Sequence, residues 1–315
     1  MTDSRAPSPA DHPAGRHCGF VALVGAPNVG KSTLVNRLAG ARVSIVSPKA
    51  QTTRTRVLAI RMVEETQIVF VDTPGIFQSS RRFERAMVDA AWRGAADADL
   101  VVCLLDARHG LDAAARNILD RLAAAGRTVS VAINKVDLVK PAALLPLTAR
   151  LAEQGLTDIW MISALHGDGV AEMVAGIAGR MPAGPWLYPP DQLTDMTDRL
   201  TAAEVTREKV FHLLHDELPY AIAVETETWE DFRDGSVRIG QIIFVERENQ
   251  RPIVLGKGGQ MVRRIRTAAQ RDLEAMFDRR VHLFLHIKTA PRWRDDPDRY
   301  RDMGLDLPPP EPRQG

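Results

Sequence analysis

The sequence predicts an α/β fold. A mainly parallel sheet with helices on both faces occupies residues 18–182, and a smaller α+β domain follows over 198–295. Three observations predict this. Short apolar runs at 20–24, 68–71, 100–105, 129–133 and 159–162 alternate with stretches of helical periodicity, the pattern of parallel strands joined by helical crossovers. Pro182, Pro185, Pro189 and Pro190 then fall close together, and prolines at that density continue neither a helix nor a central strand. Beyond them the order becomes helix, strand, strand, glycine loop, helix, strand.

Residues 1–17 are polar, carry Pro7, Pro9 and Pro13, and contain no apolar signal-peptide core, so they are expected to be a flexible tail. The run 57–63 reads as a sixth strand, at an antiparallel edge. Residues 183–197 are expected to be a linker. After it, Leu200, Ala203, Val210, Phe211 and Leu214 form a helical stripe. Ile222, Val224 and Thr226 then alternate with Glu225 and Glu227, and a second strand covers 237–245. The next helix has Val262, Ile265, Ala269, Leu273 and Met276 on one side and Arg263, Arg266 and Gln270 on the other. The last strand sets Leu283, Leu285 and Ile287 against Phe284, His286 and Lys288. Residues 296–315, rich in proline and mixed charge, read as a second tail.

With 315 residues, 45% of them hydrophobic and 26% charged, the chain has ample core for two domains, which excludes a disordered, fibrous or disulfide-framed protein. The apolar stretch 100–105 is far short of the roughly 20 residues that span a bilayer. Cys18 and Cys103 lie in or beside apolar runs, as reduced core thiols of a cytoplasmic protein would. A net charge of +1 gives no global field. Locally, however, Arg251, Lys257, Arg263, Arg264, Arg266 and Arg271 occur with no acidic residue between them, a candidate anion or nucleic-acid footprint.

Gly25-Ala26-Pro27-Asn28-Val29-Gly30-Lys31-Ser32 follows an apolar strand and opens a helix, the context of a phosphate-binding P-loop. Glycines let the backbone turn and point its N–H groups at phosphate oxygens. Lys31 would reach the β- and γ-phosphates, and Ser32 would give an oxygen to Mg²⁺. Asp72 ends the strand 68–71 and can hold the Mg²⁺ shell, while the Gly75 amide can reach a γ-phosphate. Asn134-Lys135-Val136-Asp137 closes the run 129–133. A carboxylate at Asp137 can accept from guanine N1–H and the 2-amino group, neither of which adenine offers, so GTP is expected over ATP. Asn134 is expected on the base edge and the Lys135 stem over its face. Ser163 and Ala164 end the strand 159–162, with the Ala164 amide expected near guanine O6. The pairs His212 and His215, and His282 and His286, gather no further ligands in sequence.

These motifs, in this order with Thr52-Thr53-Arg54 between the first two, resemble the translation-factor-related GTPases. The stretch from Gly25 to Thr33, Lys49 to Arg54, Leu255 to Gly259, and onward to Trp293 is similar to the Era-like GTPases in particular. That resemblance implies a P-loop GTPase domain followed by a type II KH domain, and hydrolysis of GTP to GDP with Mg²⁺. Val29, Gly30, Lys31, Ser32 and Thr33 would hold the phosphates. Thr53, with Thr52 the near alternative, would be the switch ligand to Mg²⁺. The resemblance also implies binding of the 16S rRNA 3′ end, a role in assembling the small ribosomal subunit, a monomer, and peripheral association with the cytoplasmic membrane face. Gly256, Lys257, Gly258 and Gly259 would form the KH loop, with Arg263 and Arg264 beside it. A Gly-x-x-Gly match alone is weak, and context carries it. Ile76 stands where Ras-like enzymes carry a water-orienting Gln, so unaided hydrolysis is expected to be slow. The family uses a K⁺ near the residue equivalent to Asn28; a simple turn-forming role for Asn28 stands beside that reading. A scaffold with negligible turnover is the alternative from another class. A tRNA-modification GTPase is disfavoured because no cysteine follows Cys103.

Overall fold

The computed structural model describes residues 15–47, 54, 56–77, 82–215, 218–291, 293–303 and 305–308. By its contacts the chain divides into two compact units. The first comprises Met1–Ala41, Leu58–Asp72 and Arg93–Thr194; the second comprises Arg42–Val57, Thr73–Trp92 and Asp195–Gly315. This corrects the linear division of the sequence reading: two segments inside 18–182 make their contacts with the C-terminal residues.

The first unit holds β1 (His17–Val24), α1 (Lys31–Ala39), β2 (Val57–Val63), β3 (Thr66–Asp72), α2 (Arg82–Asp97), β4 (Leu100–Asp106), α3 (Ala113–Ala124), β5 (Val129–Asn134), α4 (Leu144–Glu153), β6 (Ile159–Ile162) and α5 (Val170–Ala178), with β2 and α2 straddling the division. The sheet order is β2-β3-β1-β4-β5-β6. From β3 to β6 all neighbours are parallel. β2 and β3 are joined by Glu64 and Glu65 alone, so they form a hairpin at the edge, as expected. Val21 to Val24 and Val101 to Leu104 are fully buried, which requires cover on both faces of the sheet. Cys18 and Cys103 are buried free thiols, and burial pushes the Cys103 thiol up to about 12. A parallel sheet puts the C-terminal ends of its strands on one edge. Here Leu23 lies opposite Asp72, Val24 opposite Cys103, and Asp106 opposite Asn134, itself opposite Ile162.

The stretch after Met181 is tied to this sheet rather than free of it. Gln67, fully buried, accepts from the backbone N–H of Leu187 and Tyr188 and donates to Tyr188 O at 2.8 Å. Ile60 N–H donates to Leu193 O, so the proline-rich strap covers the sheet edge.

The second unit adds α6 (Asp198–Leu213), β7 (Ile222–Asp231), β8 (Val237–Val245), α7 (Arg251–Leu255), α8 (Gln260–Phe277), β9 (Val281–Thr289) and α9 (Pro297–Asp302). The sheet order is β7-β8-β9, antiparallel then parallel. α6 and α8 pack on it through Ala202, Val205, Ala269 and Leu273 against Val237, Ile239, Val281 and Leu283. α8 matches its predicted faces: Ile265, Ala269 and Leu273 are buried, Arg263 and Arg266 exposed. α6 departs from its predicted stripe. Arg207, Glu208 and Lys209 are buried as well as Val210 and Phe211, because other parts of the unit cover its polar side.

Tyr300 and Leu305, inside the expected tail 296–315, are packed into a core. Trp293, Tyr300 and Leu305 are at most 5% exposed and share a core with Phe83, Met87 and Ala223. Phe83 meets Trp293 and Tyr300 edge-on at 5.7 and 5.6 Å. Three isolated apolar residues among prolines and charges have no period to read. Tyr300→Ala is expected to cost about 3–5 kcal/mol in denaturant unfolding, as large-to-small changes in a core do. A tail residue would cost under about 0.5 kcal/mol.

Candidate nucleotide and RNA sites

The nucleotide site is assembled on the C-terminal edge of the first unit's parallel strands. β1 runs into the P-loop, which needs glycine at two places. Gly25 has φ 155°, and a Cβ there would lie 2.7 Å from Leu104 O. Gly30 has φ 100°, and a Cβ would lie 2.3 Å from the Asn134 amide nitrogen. Between them Asn28 is left-handed at φ 62°, so its turn-forming role is met in the geometry. α1 then starts at Lys31 with Gly30 as a cap that has no side chain and no acid in the first turn, leaving a helix N-terminus suited to an anion. Val29 is buried, and Ser32 and Thr33 are half-buried in that turn.

Lys31 is buried, and its Nζ donates to Gly25 O at 3.0 Å and Ala26 O at 2.9 Å. Burial pushes the ammonium pKa down to about 8, against the pull of the Asp72 carboxylate and of Cys103. Asp72 is the last residue of β3 and fully buried. A hydroxyl from Ser32 and a carboxylate from Asp72 are hard oxygen donors, the kind Mg²⁺ takes alongside phosphate oxygens. Gly75 lies in the coil that follows β3, and Ile76 beside it is buried. Thr52 and Thr53 lie outside the described residues.

Asn134, the last residue of β5, is buried. Its Nδ2 donates to Val29 O at 2.8 Å and its Oδ1 accepts from Ala164 N–H at 2.9 Å. Both ends of the amide, and the Ala164 N–H, are therefore engaged within the protein. Asn134 thus staples the P-loop to the loop after β6. Lys135, left-handed at φ 66°, donates from Nζ to Asn28 O at 2.6 Å and Asp106 Oδ2 at 2.7 Å, which spans its stem across the loop. Asp137 sits in the following short turn, with His166 Nε2 3.8 Å from its Oδ2. Ser163 is fully buried, and its Oγ accepts from His166 N–H at 3.2 Å.

Three contributors went unread in the sequence. Asp106 ends β4 and takes Lys135 and Arg108, at 2.7 Å each. Burial raises its pKa, but the hydrogen bonds from Arg108 and Lys135 outweigh this and hold the carboxyl below the ordinary range. An acid closing an apolar strand was the signal used for Asp72, and Asp106 carries the same one. Arg37 of α1 donates to Ala164 O at 3.3 Å and pairs with Leu165 O. His166 follows Ser163 by three residues.

The second unit carries the RNA-type features. Gly256 has φ 71°, and a Cβ would lie 2.7 Å from Met261 Cβ. Gly258 and Gly259, at φ 58° and 75°, have open space around them, so their requirement is conformational. Lys257 is exposed in this turn, and α8 follows at once. Arg263, Arg264 and Arg271 line a cleft with Gln260, Thr267 and Leu213. The histidine pairs acquire no third ligand: among the described residues no group of three His, Cys, Asp or Glu could hold a metal ion.

A P-loop with a guanine-type Asn-Lys-x-Asp turn, in one chain with a helix–glycine-loop–helix on a three-stranded sheet, defines a P-loop GTPase carrying a KH domain. A family profile described as a 50S ribosome-binding GTPase matches residues 20–135, and one described as a KH domain matches 217–294. The chain is 52% identical to GTPase Era of Afipia carboxidovorans over 96% of its own length and 98% of that relative. It is 49% identical to GTPase Era of Rhizobium meliloti over 98% and 100%. A structure of an Aquifex aeolicus Era variant bound to GDP·AlF4⁻ aligns with 92% of this chain and 100% of that one, at TM-score 0.87 and 39% identity. A structure of Era in complex with MgGDPNP and nucleotides 1506–1542 of 16S ribosomal RNA aligns with 93% and 100%, also at 0.87 and 39%. The chain belongs to the Era family of GTPases.

The Lys31 value has a pH consequence. Phosphate favours the ammonium, so nucleotide binding above about pH 8 takes up a proton, and affinity falls as pH rises. The GDP Kd is expected to rise about three- to tenfold from pH 7 to pH 9. The rise should be absent in Lys31→Arg, and equilibrium titration in the two proteins checks it.

Proposed function

We propose that this chain is a GTP-hydrolysing switch that binds the 3′ end of 16S ribosomal RNA through its KH domain and acts in small-subunit assembly and rRNA maturation. The observation that carries the reading is the staple at Asn134. It joins the P-loop, the Asn-Lys-x-Asp turn and the Ser163–Ala164 loop into one rigid edge. The P-loop N–H groups, Lys31, Ser32 and Thr33 bind and orient the phosphates, and the buried Lys31 ammonium bears on the charge of the γ-phosphate. Asp137 accepts from guanine, and Lys135 covers the base. Ala164, whose N–H faces Asn134, contributes to this site by positioning that amide.

Mg²⁺, when bound, neutralises phosphate charge; Ser32, Asp72 and Thr53 are the residues that would hold it, and Gly75 would meet the γ-phosphate. Ile76 offers no group to orient a water, which supports slow intrinsic turnover. Potassium near Asn28 would supply the missing charge, so hydrolysis is expected to run several-fold faster in K⁺ than in Na⁺ at equal ionic strength. Equal rates would remove the ion from the mechanism.

In the second unit, the left-handed glycines at 256, 258 and 259 permit close approach of an RNA backbone, with Lys257, Arg263 and Arg264 supplying charge. The relative bound to 16S rRNA nucleotides supports that target. The same reading makes the protein a cytoplasmic monomer, with peripheral contact to the cytoplasmic face of the membrane. Among the described residues no helix is long and apolar enough to cross a membrane.

The base assignment is tested by Asp137→Asn. The amide donates where xanthine presents a carbonyl and leaves the guanine amino group badly paired. Competition binding should move preference from GTP to XTP by about 100-fold or more. A variant that still prefers GTP would contradict the role of Asp137.

A further inference from the structure

β4 ends at Asp106, and the sheet sets the place of that residue beside the Asn-Lys-x-Asp turn. Asp106 lies opposite Asn134 in parallel register, and the next amide, Ala107 N–H, donates to Asn134 O at 2.8 Å. The Asp106 side chain is buried at the start of the loop to α3. Arg108, two residues on, grips its carboxylate. The Arg108 backbone N–H donates to Oδ1 at 3.0 Å, its Nε to Oδ1 at 3.1 Å and its Nη2 to Oδ2 at 2.7 Å. His109 Nδ1 stands 3.5 Å from Oδ2. The carbonyl of Asp106 accepts from His109 N–H at 3.0 Å and Gly110 N–H at 2.8 Å, which folds the loop back on its own first residue. A planar guanidinium bound to both oxygens holds a carboxylate in one orientation.

Lys135 comes onto that fixed carboxylate. Its Nζ donates to Asp106 Oδ2 at 2.7 Å and to Asn28 O at 2.6 Å. The stem runs beside the P-loop: a Cβ at Gly30 would lie 3.9 Å from Lys135 Cε. The Lys135 backbone is left-handed at φ 66°, a conformation that lysine seldom takes. A lysine stem is long and flexible, and a half-buried one with a free end samples many rotamers. Here one end is set by the backbone turn and the other by two acceptors, so the stem follows a single course.

Charge balance alone does not require this arrangement. Arg108 already gives Asp106 a countercharge and hydrogen bonds to both oxygens, so the acid is satisfied without the lysine. The lysine gains more than the acid does. Asn28 O is a neutral carbonyl and holds an ammonium more weakly than a carboxylate does. We propose that Asp106, locked by Arg108, is a positioning residue for the guanine nucleotide: it lays out the Lys135 stem as the platform for the base. All of these residues belong to the first unit. The inference rests on the GTPase reading above, in which Lys135 covers the base. A platform fixed in advance spares the nucleotide the cost of ordering it. It meets the base and not the phosphates, so GDP and GDPNP gain from it equally.

The test is a double-mutant cycle on the full chain: Asp106→Asn, Lys135→Ala and the two combined, each titrated with fluorescent GDP and GDPNP at one salt concentration. Asp106→Asn is expected to weaken both nucleotides about tenfold, by the same factor within about twofold, mostly through faster dissociation. In the Lys135→Ala background the same change should weaken binding less than about twofold further, because the group it positions is gone. A role in holding the fold alone would cost the full factor of about ten with or without the lysine. Arg108→Gln should weaken both nucleotides about threefold and lose its effect in Lys135→Ala likewise. Arg108 is exposed, so that pair of variants decides the matter if Asp106→Asn does not fold. A folded Asp106→Asn chain with wild-type affinities, or a loss that persists undiminished in Lys135→Ala, would overturn the inference and leave the GTPase reading intact. A wild-type chain that binds ADP as tightly as GDP would remove the guanine assignment, and this inference with it.

Discussion

The nucleotide site depends on one buried amide. Asn134 donates to Val29 O and accepts from Ala164 N–H, so a single side chain at the end of β5 fixes the loops that follow β1 and β6. Its position follows from strand register: Asn134 lies opposite Asp106 on one side and Ile162 on the other. Much else is dictated by where that amide stands. Gly30 must lack a Cβ because the amide nitrogen occupies the space. Lys135 leaves β5 in a left-handed turn that sends its ammonium back to Asn28 O, and Asp106 is in place to receive it. A buried polar group engaged at both ends is rigid and costly to break, which suits a site that must hold donors still around a polyphosphate.

The first unit was the more legible in the sequence. Strands buried on both faces read as continuous apolar runs, and the P-loop and Asn-Lys-x-Asp turn are short, contiguous and constrained by backbone geometry. What sequence spacing could not show was which partner each polar group would choose. From its motif Asn134 reads as a base-edge residue, and only the distances to Val29 and Ala164 show that it also staples two loops. The partner of Asp106, Lys135, comes from the turn after the adjacent strand, and register is not a property of local sequence. In the second unit, α8 kept clean faces because one side is exposed. α6 did not, because Arg42, Arg54 and their surroundings bury its polar side, and no periodicity foretells a charged residue satisfied by tertiary partners. The expected tail 296–315 departs for a related reason: Tyr300, like Trp293 just before it, finds Phe83, far away in the chain.

The second unit places its RNA-type face and its segment from the α1–β2 connection on the same two helices. Arg271, on the exposed basic side of α8, lies 3.3 Å from Asp272 Oδ1, while Asp272 Oδ2 holds Arg42. The carboxylate is thus shared between a residue that RNA phosphates would attract and one that begins the segment leading to Thr53. α2 enters the same body through Phe83, packed beside Arg54.

The account makes the chain a nucleotide-switched RNA binder, and reciprocity gives its most direct test. The affinity of the full chain for an RNA of the 16S 3′ end, its proposed target, should be measured with GDPNP and with GDP bound, at one salt concentration. The two dissociation constants are expected to differ by about fivefold or more, and RNA should shift the GDPNP-to-GDP preference by the same factor. Equal RNA affinities in the two nucleotide states, with both nucleotides tightly bound, would contradict it.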